Sequence, residues 1–246
     1  MNNFLSYGII YSAFLFGRGS LIAFLLFLFM GSLNILNFEL SELEIIWMDA
    51  GLSLLFFIQH SGMVRKSFQQ RVVKFIPTEY YNAIYAIVSG IVLILLILLW
   101  QKSSWSIGTV SGIYRWLFRL IFFLSIAGFI WGVRALDFFD PFGTKKIFYH
   151  IYNKSPQPIS FVVKGPYQVV RHPLYFFMMI MIWASPDLTI DRLLFNVLWT
   201  IWIIIGTVLE EHDLIDVFGD EYREYQKRVS MFVPLRFYKN YRENLK

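Results

Sequence analysis

Apolar residues are grouped along the chain in long runs that short polar stretches separate. A membrane-spanning helix needs about 20 mostly apolar residues, and the sequence contains several runs of this kind. The predicted spans are segments 21–38, 45–61, 80–100, 113–133 and 193–209. The pattern leaves open whether residues 4–16 extend the first span or form a separate one.

A shorter apolar run, residues 174–184, is joined to the last span by the break "SPDLTIDR". This arrangement predicts a tight helical hairpin, whose first arm is too short to cross a bilayer unless it is tilted. We therefore predict an all-α polytopic membrane protein with about five to six transmembrane helices. The last two form the hairpin, and a cytoplasmic C-terminal helix follows them.

Composition supports the membrane class. Hydrophobic residues make up 57% of the 246 residues and charged residues 16%, whereas a soluble domain has about 45–50% and about 25%. The chain has no cysteine, which excludes disulfides, iron–sulfur clusters, thiolate metal sites and a cysteine nucleophile.

The distribution of charge predicts an orientation. Basic residues outnumber acidic ones in 62–79, in 137–173 and from 227 onward, while 39–44 holds three glutamates and no base. Cytoplasmic loops carry an excess of Lys and Arg. With six crossings, all basic loops and both termini are cytoplasmic, and a bacterial inner membrane is the expected location.

Polar side chains flank the predicted hairpin at both ends. If the hairpin goes up and returns, both groups meet at one membrane mouth. They are Arg171, His172, Tyr175, Glu210, Glu211 and His212. Carboxylates accept from ammonium or adenine groups, arginine binds carboxylates, and aromatic rings flank a sulfonium. Gly219 is predicted to end the last hairpin helix, and Asp220 to begin the C-terminal one.

Other interpretations of these residues stay open at this point. Arg171 serves equally as a positive-inside anchor, and His172 as a local hydrogen-bonding group. A metal site built from both histidines and both glutamates has no diagnostic spacing. The tyrosine-rich tail suits an interfacial amphipathic helix as well as a lid over a cofactor. No G-x-G-x-x-G, P-loop or H-E-x-x-H motif is present, so a nucleotide-like cofactor would bind without a Rossmann domain.

Two motifs carry a family resemblance. "GPYQVVRHPLY" and "EEHDLIDVFGDEYREYQKRVSMFVP" resemble the integral-membrane methyltransferases, which include isoprenylcysteine carboxyl methyltransferases and bacterial phospholipid methyltransferases. Upstream, "LFFIQHSGMVRKSFQ" and "LDFFDPFGTKKIF" resemble the methanethiol S-methyltransferase family. Asp140-Pro141 and Asn82 depart from that family's usual pattern.

The resemblance implies one methyltransferase domain over 1–246, with N-terminal transmembrane helices in 1–136 and a cofactor-binding catalytic region in 137–246. Its cofactor would be S-adenosylmethionine. Matching cofactor-binding positions are Tyr167, Arg171, His172, Pro173, Tyr175, Glu210, Glu211, Tyr222, Tyr225 and Arg228. The acceptor would pass Gln59, His60, Phe138 and Phe142. His60, Arg171 and Glu210 are the candidate catalytic residues.

The implied reaction requires a base, because free thiols titrate above neutral pH. His60 and His172 are the candidates, and His60 is favoured since the cofactor motif already uses His172. The expected partners are a small thiol and membrane lipid, without a metal or nucleic acid; the oligomeric state stays open. The alternatives are a methyltransferase for isoprenylcysteine or phospholipid, an NADPH-dependent membrane reductase and a non-enzymatic membrane subunit.

Overall fold

A computed structural model describes residues 3–136, 140–155 and 161–234. This part of the chain is helical apart from two short strands and the connections. In chain order the elements are α1 (Asn3–Met30), α2 (Glu42–Val64), α3 (Lys66–Val72), α4 (Tyr81–Leu99), β1 (Ser106–Thr109), α5 (Gly112–Ala135), α6 (Lys145–Ile151), α7 (Pro173–Trp183), β2 (Asp187–Thr189), α8 (Ile190–Phe218) and α9 (Asp220–Arg228). Short 3₁₀ turns at Thr78–Tyr80 and Gly165–Gln168 precede α4 and α7.

Five of the described helices, α1, α2, α4, α5 and α8, are long and apolar enough to cross a membrane. The predicted all-α polytopic membrane fold is therefore confirmed. Helix α7 has 11 residues and a length of about 16 Å at 1.5 Å per residue. That is about half the thickness of a bilayer core, so this arm is short, as its sequence indicated.

The structure settles the start of the first span and corrects its end. Residues 4–16 belong to the same helix as the following apolar run, because α1 is continuous over Asn3–Met30. It does not extend to residue 38. The chain turns at Gly31, whose φ is +87°, and Asn34 also has a positive φ of 46°. Glycine and asparagine favour such turns, and here they end the helix although apolar residues continue to residue 38.

The described backbone divides into two compact units. Of the described residues, the first unit comprises 3–109, 140–155 and 187–199. The second comprises 110–136, 161–186 and 200–234. The division into regions 1–136 and 137–246 of a single domain stays a prediction.

Helices α1 and α4 pack closely in the first unit. A Cβ atom at Gly90 would lie 2.6 Å from the Phe16 carbonyl oxygen, so glycine permits the close approach of the two backbones. Nearby, the Ser6 and Tyr80 hydroxyls are hydrogen-bonded at 2.7 Å, and Tyr80 joins a buried apolar cluster that includes Ile10. Small residues and one buried hydroxyl pair thus fix this helix pair.

Buried acids hold the segment that leads into β1. Asp49 accepts a hydrogen bond from the Gln101 amide at 3.1 Å. Asp191 accepts from the Ser103 amide at 3.1 Å and from the Trp100 indole at 3.4 Å. The segment then forms β1, which pairs antiparallel with β2. This small sheet was not predicted, because the turn residues 187–189 lack the length and alternation of a typical strand.

Arg192, in the first turn of α8, completes the end of α1. Its guanidinium donates to the carbonyl oxygens of Phe27 at 3.2 Å and Leu28 at 2.6 Å. The last carbonyls of a helix lack partners within that helix, and a cation also interacts favourably with the helix dipole there. Arg192 is therefore a C-terminal cap supplied from a distant part of the sequence.

In the second unit, α5 packs against α7, where a Cβ atom at Gly132 would lie 2.7 Å from the Leu174 side chain. Trp183 near the end of α7 donates to the Thr200 hydroxyl of α8 at 3.0 Å. These contacts establish the predicted hairpin of α7 and the second half of α8. At its other end, the Gly219 amide bonds the Ile215 carbonyl at 2.8 Å, and α9 begins at Asp220, as predicted.

Replacing Gly143 by alanine should destabilise the protein by about 2 kcal/mol or more. Gly143 has a φ of +65°, and a Cβ atom there would overlap the Asn82 and Ala83 backbone. Gly19→Ala is the matched control, since nothing lies within 4 Å of a Cβ atom at that position in α1. Chemical unfolding in mild detergent measures both variants. Equal stability of Gly143→Ala and wild type would contradict the prediction.

Candidate active site

Glu211 is the centre of a buried polar cluster in the second unit. Its Oε1 lies 2.6 Å from Arg171 Nε and 3.0 Å from His172 Nε2. Its Oε2 lies 3.0 Å from Arg171 Nη2 and 3.0 Å from Gln226 Nε2. The Tyr222 hydroxyl donates to Oε1 at 3.4 Å. Because hydrogen-bond donors surround both carboxylate oxygens, Glu211 fixes the orientation of the side chains that donate to it. We call these five residues the Glu211 cluster.

Arg171 connects the start of α7 to the end of α9. Besides the bidentate pair with Glu211, its Nη1 donates to the carbonyl oxygens of Gln226 at 3.2 Å and Val229 at 2.5 Å. The Arg171 amide also donates to the Ser230 carbonyl at 2.9 Å. All three guanidinium nitrogens are therefore engaged within the fold. Such buried bidentate pairs are among the stronger hydrogen-bonded ion pairs.

His172 lies between the two adjacent glutamates. A carboxylate only accepts hydrogen bonds, so His172 Nε2 is the donor to Glu211. The other ring nitrogen, Nδ1, is 4.0 Å from Glu210 Oε2. The ring of Tyr175 stacks on the imidazole, with centroids 5.7 Å apart and an interplanar angle of 16°. Pro173 follows as the first residue of α7, where proline is favoured.

Glu210 contrasts with its neighbour. The Glu210 side chain is 43% exposed, against 10% for Glu211. Its Oε2 atom is nevertheless buried and accepts no hydrogen bond from any described residue. Glu210 thus offers an open acceptor beside the His172 ring, whereas the acceptor capacity of Glu211 is used within the protein.

Three tyrosines surround this region. The Tyr225 hydroxyl donates to the Tyr167 carbonyl oxygen at 2.5 Å. Burial raises the pKa of the Tyr167, Tyr222 and Tyr225 hydroxyls above the ordinary value, and the Glu210 carboxylate raises the pKa of Tyr167 further. These hydroxyls therefore stay protonated at physiological pH, and those of Tyr222 and Tyr225 donate hydrogen bonds within the fold.

Two residues singled out from the sequence lie outside the Glu211 cluster. Arg228 is exposed on α9, with Nη2 3.7 Å from Glu224 Oε2. His212 is also exposed, and its Nδ1 bonds the Val208 carbonyl oxygen of the preceding turn at 2.7 Å. The expectation that His212 joins the hairpin mouth stays a prediction, since the contact described for its ring lies within α8 itself.

Sequence reasoning missed Gln226, whose side chain donates to Glu211. Helical spacing was the available signal. The buried α9 residues Tyr222 and Tyr225 lie three apart, and Gln226 is four residues after Tyr222, on the same face. Arg228, six residues after Tyr222, projects from another face.

Gln59 and His60, two of the residues expected to contact the methyl-accepting substrate, lie on α2 in the first unit. His60 Nε2 is 2.8 Å from the Tyr85 hydroxyl of α4, and the imidazole stacks on Phe56 with centroids 5.2 Å apart. Gln59 Nε2 donates to the Ser89 hydroxyl at 3.1 Å. Both side chains therefore face α4.

Phe142, the other described residue expected to contact the methyl-accepting substrate, packs against α1. Its ring meets Phe14 edge-on at a centroid distance of 5.4 Å, and a Cβ atom at Gly17 would lie 2.6 Å from it. Phe138 lies outside the described residues. Among the residues that the structure describes, no three His, Asp or Glu side chains are grouped to hold a metal ion.

The family described as NnrU protein matches residues 48–231, a range that includes the Glu211 cluster as well as Gln59 and His60. The chain belongs to the NnrU family. No solved structure matches this NnrU family member.

Curated relatives indicate the kind of activity. This NnrU family member is 38% identical over 191 residues to a methanethiol S-methyltransferase of Pseudomonas sp. strain GM41, with 76% of this chain and 73% of that protein covered. Methanethiol S-methyltransferase 1 of Bradyrhizobium diazoefficiens is 33% identical over 201 residues, with 80% and 70% covered. Nurim from Bos taurus is 25% identical over 183 residues, with 69% and 68% covered. The first two support methyltransferase activity, and the helices support an integral membrane protein.

Proposed function

We propose that this protein is an S-adenosylmethionine-dependent methyltransferase that methylates a small thiol such as methanethiol to dimethyl sulfide. Its active site faces the cytoplasm of a bacterial inner membrane, in agreement with the excess of basic residues in the loops assigned to that side. The likeness to methanethiol S-methyltransferases over about three quarters of this chain carries the proposal.

The second unit contains groups that fit S-adenosylmethionine. Glu210 Oε2 is a buried acceptor that receives no hydrogen bond from any described residue, and it suits an ammonium, a ribose hydroxyl or an adenine amino group. The Tyr175 ring stacked on His172 offers an aromatic face, which attracts a sulfonium electrostatically. The donors of Arg171 are largely committed to Glu211 and to backbone carbonyls, so its contribution is to hold these groups in place.

When bound, S-adenosylmethionine supplies an electrophilic methyl group on a sulfonium, and its sulfur leaves as a thioether with the electrons of the broken C–S bond. The protein must hold the acceptor in line with that methyl group and remove the S–H proton. We assign proton removal to His60, whose ring is held by Tyr85 at 2.8 Å and by Phe56. Exclusion of water favours the transfer, because a thiolate and a sulfonium neutralise each other's charge.

The direct test uses membranes containing the protein and methyl-labelled S-adenosylmethionine. Methanethiol, longer thiols, a prenylcysteine and phospholipid vesicles are offered in parallel, and membranes without the protein serve as the control. Label in volatile sulfide is the expected result. Label found only in prenylcysteine or lipid would replace the thiol with a membrane-embedded acceptor, and the absence of transfer to all of them would overturn the proposal.

His60→Gln should leave binding of S-adenosylmethionine unchanged and reduce turnover most strongly at low pH. Without a base, the reaction depends on thiol that has ionised in solution, and this fraction falls about tenfold per pH unit below the pKa of that thiol, which lies above neutral pH. The variant and wild-type rates should converge above that pKa. Measuring kcat/KM for the thiol against pH tests this, and a constant ratio of the two values would remove His60 from the mechanism.

A further inference from the structure

A buried side-chain oxygen on α2 in the first unit lacks a hydrogen-bond donor among the described residues. Gln59 Oε1 is buried and accepts no hydrogen bond from any described residue. A buried amide oxygen without a donor is unfavourable, and such groups are uncommon in native proteins. The position is therefore suited to a ligand that brings its own donor.

The orientation of the Gln59 amide follows from its neighbours. Its Nε2 lies 3.1 Å from the Met63 sulfur and 3.1 Å from the Ser89 hydroxyl oxygen. A thioether sulfur accepts but cannot donate, so the NH₂ group must face Met63. A flipped amide would place two acceptors against each other. Met63 and Ser89 thus direct the carbonyl oxygen away from themselves.

Gln59 and His60 share one seam between α2 and α4. They are adjacent on α2, and their partners Ser89 and Tyr85 are four residues apart on α4. Four residues correspond to about 6 Å along a helix, about one turn. The unpartnered acceptor and the His60 imidazole therefore belong to the same short stretch of the helix pair.

We propose that Gln59 Oε1 recognises the S–H group of the acceptor thiol and so distinguishes the substrate from its methylated product. This inference rests on the proposed thiol methylation. A neutral thiol can donate a weak hydrogen bond to the amide oxygen, whereas a sulfide has no hydrogen on sulfur. Methylation therefore removes the donor, leaves Oε1 unpaired again and weakens binding of the product. Thioethers are disfavoured as methyl-accepting substrates for the same reason, since they have no S–H group to donate.

The hydrogen bond exists only before ionisation, because proton transfer to His60 removes the S–H donor. Gln59 should therefore act on binding of the neutral thiol rather than on the methyl-transfer step. Gln59→Met keeps the length of the side chain and replaces the amide oxygen by a thioether sulfur, which is a much weaker acceptor. We expect it to raise the KM for methanethiol about tenfold, the effect of losing one modest hydrogen bond. Neither kcat nor the inhibition constant of dimethyl sulfide should worsen, so the ratio of that constant to KM should fall about tenfold.

Two further variants make the experiment decisive. Ser89→Ala removes one group that orients the Gln59 amide, while Gln59 itself stays unsubstituted. It should lower the same ratio by a smaller factor. Gln70→Met, an exposed glutamine on α3, is the matched control and should leave the ratio at the wild-type value. The measurements use purified full-length protein in nanodiscs, with S-adenosylmethionine saturating.

A proportional rise of the thiol KM and the sulfide inhibition constant in Gln59→Met would overturn the inference, since it would indicate a general packing change. Wild-type ratios in both Gln59→Met and Ser89→Ala would also overturn it. If Gln59→Met does not fold, the outcome for Ser89→Ala decides. Failure of the wild-type protein to methylate thiols would refute the proposed function, whereas an active wild type with unaltered variants would refute this inference alone.

Discussion

Replacing Glu211 by alanine is expected to lower the free energy of unfolding by about 3–5 kcal/mol. The change leaves the Arg171 guanidinium, with a side chain 9% exposed, without its carboxylate partner. It also removes the acceptor for His172 Nε2 and for the Gln226 amide. Removing one member of a buried pair is costly, because the remaining charge stays desolvated. Chemical unfolding in mild detergent, followed by tryptophan fluorescence, measures the loss.

The matched control is an exposed ion pair in the same unit. Arg223 Nη1 lies 2.9 Å from Asp220 Oδ1, with 58% and 92% of the two side chains exposed. Arg223→Ala should leave the free energy of unfolding equal to the wild-type value within experimental error, since water and salt screen surface ion pairs. Similar losses in Glu211→Ala and Arg223→Ala would show that the Glu211 cluster does not hold the second unit together.

Glu210→Gln should have the opposite profile, with weaker cofactor binding and nearly unchanged stability. Glu210 Oε2 accepts no hydrogen bond from any described residue, so neutralising it removes little from the fold. A bound S-adenosylmethionine would lose one charge-assisted hydrogen bond. Such bonds contribute about 1.5–3 kcal/mol, which corresponds to roughly 10- to 150-fold in affinity. Isothermal titration calorimetry of S-adenosylmethionine measures the change.

Asp216→Asn controls for the loss of negative charge on the same helix. Asp216 is an exposed residue of α8, and its replacement should leave both binding and stability as in the wild type. Wild-type affinity in Glu210→Gln would exclude Glu210 from the cofactor site. A loss of stability as large as that of Glu211→Ala would instead assign it to the fold.

The sequence was sufficient to predict that the hairpin brings Arg171 and His172 to the two glutamates. The reason is geometric: two antiparallel helices joined by a short connection place the residues before the first beside the residues at the end of the second. It was insufficient to separate the roles of Glu210 and Glu211. Adjacent side chains on a helix differ by about 100° in direction, and only the packing of α9 decides which one becomes buried.

Other features depend on contacts that are distant in sequence. The first span ends at Met30 and not at residue 38, because turn residues interrupt an otherwise apolar run. The partners of the Arg171 Nη1 atom are backbone carbonyls of Gln226 and Val229, and every residue type carries such groups. No side-chain pattern therefore predicts this contact, whereas the membrane spans and the end of α8 at Gly219 follow from local sequence.

The cap that Arg192 places on α1 has a consequence for biosynthesis. The two carbonyl groups it binds are 165 and 164 residues earlier in the chain. At a synthesis rate of about 5–20 residues per second, α1 would wait roughly ten to thirty seconds for its cap after leaving the ribosome. The first helix therefore receives its C-terminal cap only when α8 has been made. In a nascent chain that ends before residue 192, the last turn of α1 should be less stable than in the complete protein.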